Sequence, residues 1–256
     1  MRDEPYRWIE AIQDRQDYIE DQLRPGSPVV GITYNEGMML LTVSKGQRKI
    51  FEVHDRIALS AIGHPADIER LRMLVTDTAS VQGFQNATED INLHRLTNYT
   101  LAPAFKQAFE SIVGEAYIIK MLLAELGSTS EKNQFTGINF DGIVRANSSF
   151  AVIGGTGAIE TGMQNYLTAA QTDADRDLTT ALQLGLETWA VGKELSAREP
   201  EETESEDTQL NTTQMDEIID TAREEGEIEV GVLEASQQGA SKFRLLTAQE
   251  IEAALK

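Results

Sequence analysis

The sequence predicts an α+β fold: a four-layer αββα sandwich of two antiparallel sheets flanked by helices, with an extra N-terminal helix. Three observations predict it. Strand-like runs arrive as hairpins joined by short turn signals, which makes the sheets antiparallel. Helical stretches are inserted in pairs between groups of strands, so each sheet has helices to cover it. An amphipathic helix precedes the first strand. The resulting order is helix, four strands, two helices, three strands, two helices, two strands, helix.

The opening helix spans 6–24. Trp8, Ile12, Ile19 and Leu23 fall within roughly 60° of one another at about 100° per residue. Asp14, Arg15, Asp17, Asp21 and Gln22 form the polar remainder, and Pro25-Gly26 stops the helix. "SPVVGITY" and "GMMLLTVS" follow as strands around the hairpin signal Asn35-Glu36-Gly37. "KIFEV" and "RIALSAIG" form a second hairpin, turning at His54-Asp55. A helix starts at Pro65 with Ile68, Leu71 and Val75 on one face. The next helical stretch, "TEDINLHRLTNYTLAPAFKQAFESIVG", contains Pro103, which demands a kink, a break or a first-turn position. "AYIIKMLLAEL", "FTGINFDGIVR" (turning at Asp141-Gly142) and "SFAVIGG" return to strand. "AIETGMQNYLTAAQ" and "DLTTALQLGLETWAVGKELSA" are helices, and "EIEVGVLEAS" with "KFRLLT" is the last hairpin. Thr247-x-x-Glu250 is a capping box that opens the final helix.

The chain has 256 residues, 41% of them hydrophobic and 25% charged, which suits one sizeable core. No internal repeat or linker divides it, so a single domain over 1–256 is expected. It contains no cysteine, which excludes disulfides, thiolate metal sites and thiol nucleophiles. No run reaches the roughly 18 to 20 apolar residues of a membrane span. The charged start "MRDEPYRWIEAIQDRQ" lacks the apolar core of a signal peptide, so a soluble, cytoplasmic protein is expected. With 42 acids against 22 bases the net charge is −20, and nucleic acid is an unsuitable partner. Much of the acidity is local. "AREPEETESEDTQLNTTQMDE", from Ala197 to Glu217, reads as a solvated acidic loop, within a wider loop region over 195–225.

Few constellations carry chemistry. His54, His64 and His94 are scattered without metal-ligand spacing, and neither a metal nor a cofactor is expected. "IGGTGAIETG" has Gly155-x-Gly157 but Glu160 where a dinucleotide loop needs its third glycine. Met163-Gln164 replaces the Lys and Ser/Thr of a phosphate loop. Its small residues are read as a tight strand-to-helix turn. The stretch "RPGSPVVGI" is more suggestive. A glycine before a hydroxyl residue that opens a strand is the pattern of an N-terminal nucleophile hydrolase before self-cleavage. Cutting after Gly26 would free an amine to serve as base for Ser27.

Over nearly its whole length the chain resembles the 20S proteasome subunits, and among them the α-type subunits of bacterial, actinobacterial-like proteasomes. The resemblance rests on "GSPVVGITYNEGMMLL", "RKIFEVHDRIALSAIGHPADIERLR", "FAVIGGTGAIETGMQNYL", "LTTALQLGLETWAVG" and "EIEVGVLEA". The αββα order is that family's Ntn-hydrolase fold. The resemblance implies two kinds of subunit: β subunits, which cut peptide bonds with an N-terminal threonine, a lysine and an aspartate, and α subunits, which lack the nucleophile and carry an N-terminal helix. Four features favour the α kind. Serine, not threonine, stands at position 27. Val43, sixteen residues on, takes the aspartate position. Pro28 removes a backbone N–H. The upstream segment is a patterned helix where a disposable propeptide needs no apolar stripe.

The resemblance further implies a homo-heptameric α ring stacked on catalytic β rings, with unfolded proteins as substrates. Trp8, Ile12, Ile19 and Leu23 are then expected at the ring interface. Met1, Arg2, Asp3, Glu4 and Pro5 are expected as a gating tail over the axial pore, with Pro5-Tyr6 as hinge. A ring-shaped AAA+ ATPase is expected to insert its C-terminal residues between α subunits. Lys49 aligns with the lysine that meets the incoming carboxylate, and Arg48 stands beside it. Gly26 and the Gly63-His64 turn align with the pocket walls, although His64 departs from the apolar residue often found there. Two other readings remain open at this point. One is an active Ntn-type peptidase using Ser27, which would lose its first 26 residues. The other is a stand-alone binding protein on the same scaffold, which would stay monomeric beside β subunits.

Overall fold

In the computed structural model, which describes residues 4–85, 91–111, 114–170, 176–198 and 210–255, the strands form two antiparallel five-stranded sheets. The strands are β1 Val29–Tyr34, β2 Gly37–Ser44, β3 Ile50–His54, β4 Ile57–Gly63, β5 Ile119–Glu125, β6 Gln134–Ile138, β7 Val144–Asn147, β8 Phe150–Ile153, β9 Glu227–Glu234 and β10 Phe243–Leu245. The first sheet has the order β10-β9-β2-β1-β8 and the second β3-β4-β5-β6-β7. The helices are α1 Glu4–Leu23, α2 Pro65–Gln85, α3 Leu93–Leu96, α4 Ala102–Glu110, α5 Gly157–Ala170, α6 Leu178–Ala197, α7 Thr212–Glu225 and α8 Ala248–Ala254.

The strands alternate between cores, and that alternation builds the layers. On β2, Met39, Leu41 and Val43 face one way, into a core shared with Trp189, Leu186 and Leu182 of α6 and Met163 of α5. Met38 and Leu40 face the other way, toward Ile50, Ala58, Ile62, Leu122 and Phe135 of the second sheet. That sheet repeats the pattern. Leu59 and Ala61 of β4 with Met121 and Leu123 of β5 pack on Leu71 and Val75 of α2 and on Phe105 of α4. The order helix, sheet, sheet, helix therefore follows from strands that are apolar on both faces. The central core is also where α1 enters, through Ile19 and Leu23.

Local chemistry sets the element ends. Asn35-Glu36 closes the first hairpin, with Tyr34 opposite Gly37. The second hairpin turns one residue later than expected, at Asp55-Arg56, because His54 still pairs with Ile57. Pro103 takes a first-turn position in α4, where a missing N–H costs least. A π-helical turn over Thr97–Leu101 joins it to α3 and absorbs the change of phase. Thr247 caps α8 with the expected reciprocal bonds to Glu250.

Three further expectations are corrected. "FTGINFDGIVR" is two strands, β6 and β7, so four strands and not three separate the helix pairs. The first helix starts at Glu4 and not at residue 6, because a proline in the first turn leaves no bond unmade. The third correction concerns the 195–225 loop. Helix α6 runs to Ala197, and Thr212–Glu225 is the helix α7. Asn211 and Gln214 form its capping box, and Met215, Ile218, Ile219 and Ala222 lay one apolar face on the first core. Residues 199–209 of the acidic stretch lie outside the described residues.

Candidate functional site

Ser27 lies in the short link between α1 and β1. The chain leaves α1 still making helical bonds: Arg24 N–H donates to Glu20 O at 2.9 Å and Gly26 N–H to Leu23 O at 2.9 Å. The Ser27 hydroxyl accepts the indole N–H of Trp189 at 3.0 Å and lies 3.4 Å from the Thr42 hydroxyl. That hydroxyl already donates to Pro28 O at 2.7 Å. An indole N–H only donates, so neither neighbour can take the Ser27 proton to water or substrate. Val43, at the aspartate position, is 4% exposed among the apolar residues of the first core. The arrangement holds Ser27 as a structural hydrogen-bond acceptor.

Gly26, Gly63 and His64 do come together. A side chain on Gly26 would start 2.8 Å from Leu23 O and 3.5 Å from the Cβ of Ile62, which precedes Gly63. Gly63 has φ +132, and a Cβ there would run into Ile118. His64 then begins the cap of α2. Its N–H donates to Ile118 O at 2.8 Å, and its Nδ1 accepts from Ala66 N–H at 3.2 Å. Asp67 on the first turn of α2 accepts Ile118 N–H at 2.9 Å, which locks the turn from the other side. The imidazole itself is exposed.

Lys49 stands one residue before β3, half-buried; Ile50 pairs with Ser60, so Lys49 lies at the end of the sheet where β4 runs on to Gly63. Its N–H donates to both oxygens of Glu229 on β9, at 2.9 and 3.2 Å, and Ile50 N–H donates to the same carboxylate at 3.1 Å. Burial pushes the Lys49 ammonium below the ordinary lysine range. Glu229 pulls it back up, and the like charge of Lys193 on α6 pushes it further down. Among the described residues no hydrogen bond or ion pair joins Lys49 to Gly26, Gly63 or His64. Arg48 is committed to β3: its Nε donates to Ile50 O at 2.9 Å, and its guanidinium lies over Phe51, as does that of Arg72.

The four stripe residues of α1 separate. Ile19 and Leu23, 1% and 0% exposed, are buried in the chain's own central core, so they have no surface left to offer a neighbour. Ile12 packs on the edge of that core, and Trp8 is 41% exposed. Arg15 fastens the helix by donating to Phe109 O at 2.6 Å and Ser111 O at 2.7 Å. Met1, Arg2 and Asp3 lie outside the described residues, whereas the backbone of Glu4 and Pro5 belongs to α1 and not to a tail.

Three features went unread in the sequence. Glu229 is one acid among forty-two, and only the pairing of Thr42 with Glu229 across β2 and β9 brings it to Lys49. Ile9 and Tyr18 join Trp8 as large exposed apolar groups on α1, and Met73, Val81 and Phe84 do so on α2. Their signal was visible as apolar residues off the inward-facing positions. The third feature is a buried ion pair, Lys120 on β5 with Glu160 on α5, at 2.9 Å. Lys120 also donates to Gly154 O at 3.0 Å, which ties the second sheet to the turn after β8. Among the described residues no helix is long and apolar enough to cross a membrane.

Residues 24–187 match the family described as "Proteasome subunit". The chain is similar to the protein named "Proteasome subunit alpha" of Thermomonospora curvata, 28% identical over 198 residues, covering 74% of this chain and 82% of that protein. Its counterpart in Parafrankia sp. is 26% identical over 76% of this chain and 79% of its own length. That of Paenarthrobacter aurescens is 27% identical over 73% and 77%.

Proposed function

The chain belongs to the proteasome subunit family, and from that premise we propose that it is a non-catalytic α-type subunit of a 20S core particle. One observation carries the choice between the two kinds of subunit. Ser27 is internal, behind a helix whose last turns are buried in the central core, and its hydroxyl is held by an indole N–H. A catalytic subunit needs that residue at a free N-terminus with a base to activate it. Removing the first 26 residues here would strip Ile19 and Leu23 from the core. The curated relatives, named as α subunits, favour the same side.

In this reading the chain forms the outer, heptameric ring of a cytoplasmic, threonine-type endopeptidase complex. It templates the catalytic β rings and admits unfolded proteins. Trp8 and Ile12, with Ile9 and Tyr18, contact the neighbouring subunit, since a terminal helix with exposed Trp, Ile and Tyr is a poor surface for a monomer. The residues before α1 gate the axial pore. A ring-shaped AAA+ ATPase docks its C-terminal residues between subunits, in a pocket walled by Gly26 and the Gly63-His64 turn where Lys49 meets the incoming carboxylate. A cation meeting a partly desolvated carboxylate contributes about 1.5 to 3 kcal/mol.

Co-expression with a candidate β-type subunit tests the assignment. The expected result is stacked rings by electron microscopy, with this chain keeping its N-terminus by intact mass spectrometry. Loss of residues 1–26 would make it a self-processing peptidase instead, and a persistent monomer would make it a stand-alone protein.

A further inference from the structure

The Glu229 carboxylate makes three hydrogen bonds, and all of them go to the backbone that carries Lys49. The distances are 2.9 and 3.2 Å to Lys49 N–H and 3.1 Å to Ile50 N–H. β3 is the edge of the second sheet, while Glu229 belongs to β9 of the first. The carboxylate therefore crosses from one sheet to the other and fixes the point where the chain enters β3. Its register is set independently, because β2 and β9 pair over their full length with Thr42 opposite Glu229. The strand preceding Lys49 and the carboxylate that receives it are thus parts of one rigid ladder.

Lys49 itself is not satisfied by this arrangement. It is half-buried, and the charged groups around it are Glu229, the like-charged Lys193 on α6 and the adjacent Arg48, whose guanidinium is spent on Ile50 O and Phe51. The oxygens of Glu229 are occupied by backbone N–H groups, and among the ion pairs of the described residues none within 4.0 Å joins Glu229 to the Lys49 ammonium. A half-buried ammonium beside a committed carboxylate is held charged by the field of that carboxylate while its own donors stay available. Charge retained and donors unspent are what an incoming carboxylate needs.

We propose that Glu229 is a positioning residue for Lys49: it anchors the Lys49-Ile50 backbone across the two sheets and presents the ammonium, charged and unspent, to the carboxylate terminus of a docking peptide. This rests on the reading of Lys49 as the docking cation. Glu229 touches no part of the docked terminus. It acts through Lys49 alone, so its loss weakens docking without changing what a docked partner then does.

The test uses particles assembled with β subunits and titrated with the purified ATPase ring, reading peptide hydrolysis. Glu229→Gln keeps the size of the side chain and one acceptor oxygen but removes the charge. The expected result is a half-maximal ATPase concentration raised about tenfold with the maximal stimulated rate retained, and Glu229→Asp falling between Gln and wild type. Lys49→Ala, run beside them, separates the two ideas. Full stimulation of Lys49→Ala would overturn the docking reading itself. Loss of stimulation in Lys49→Ala with an unchanged half-maximal concentration in Glu229→Gln would overturn only the positioning role. A second readout needs no assembled particle. The ammonium of Lys49 is titrated in the isolated full chain by NMR of ¹³Cε-labelled lysine. A lower midpoint in Glu229→Gln than in wild type is expected, and equal midpoints would overturn the proposal.

Discussion

Lys49 and Ser27 are single residues whose surroundings fix what each can do. Burial depresses the Lys49 pKa in the folded chain relative to about 10.4 for an exposed lysine. Below the folded-state pKa both the folded and unfolded chains carry the charge, and its full desolvation cost is present. As pH rises through the window up to the ordinary lysine value, the unfolded state binds more protons than the folded one. Stability therefore rises with pH across that window, while the charge needed for docking disappears. ATPase stimulation of particle hydrolysis, taken as a ratio to the unstimulated rate, should fall on the alkaline side before exposed lysines titrate. Lys49→Arg, whose guanidinium stays charged, should flatten that fall, and Lys49→Ala should remove stimulation at every pH. A ratio that is flat in the wild-type particle would contradict the assignment. Ser27 predicts the opposite kind of result. Ser27→Ala should leave peptide hydrolysis by the particle unchanged. It should cost about 1 to 3 kcal/mol in denaturant unfolding of the isolated chain, because the buried Trp189 N–H loses its acceptor. A lost hydrolysis rate would return Ser27 to catalysis.

At the scale of the element, α1 has two jobs on one helix. Its C-terminal half is core, and its N-terminal half presents Trp8 and Ile9 outward. Leu23→Ala should destabilise the isolated chain by about 2 to 5 kcal/mol, through lost burial and a residual cavity. Trp8→Ala should shift its unfolding by less than about 0.5 kcal/mol yet reduce ring assembly, read by analytical ultracentrifugation. Equal destabilisation by the two would make the whole stripe internal. The sequence showed the stripe but not its division, because a helical period says which residues share a face and not how far along that face the core extends. Helix α7 was hidden for a different reason. Its window holds many acids, which favoured a solvated loop, while its order comes from one cap and four apolar residues against the first core. Asn211→Ala removes that cap, and an expected loss of about 1 kcal/mol in thermal or denaturant unfolding would show that the helix is anchored there. The strands were easier to read, since turn residues such as Asn35-Glu36 mark their ends whatever packs around them.

For the whole molecule, the sandwich explains which parts of the proposed site a single chain can display. Gly26 and the Gly63-His64 turn meet where α1 and β4 end, and Lys49 precedes β3 at that same end of the second sheet, since Ile50 pairs with Ser60, with its backbone held by Glu229. The alignment of motifs supplied all four residues. Only the spatial arrangement shows how each is held: the wall by backbone contacts to Leu23 and Ile118, and the Lys49 backbone by a carboxylate from the other sheet. The same anchoring bears on the gate. Residues 1–5 precede or begin α1, and the grip of that helix lies further on, at Arg15, Ile19 and Leu23. Removing residues 1–5 spares those contacts, and in the proposed reading its effect should fall on entry to the pore. Particles built with the truncated chain should hydrolyse a short fluorogenic peptide several-fold faster without ATPase, at an unchanged melting temperature. The gain should shrink when ATPase is added to both, because in the proposed reading docking already opens the wild-type pore. An unchanged basal rate would remove the gate from this segment, and a lowered melting temperature would assign residues 1–5 to the stability of α1 instead.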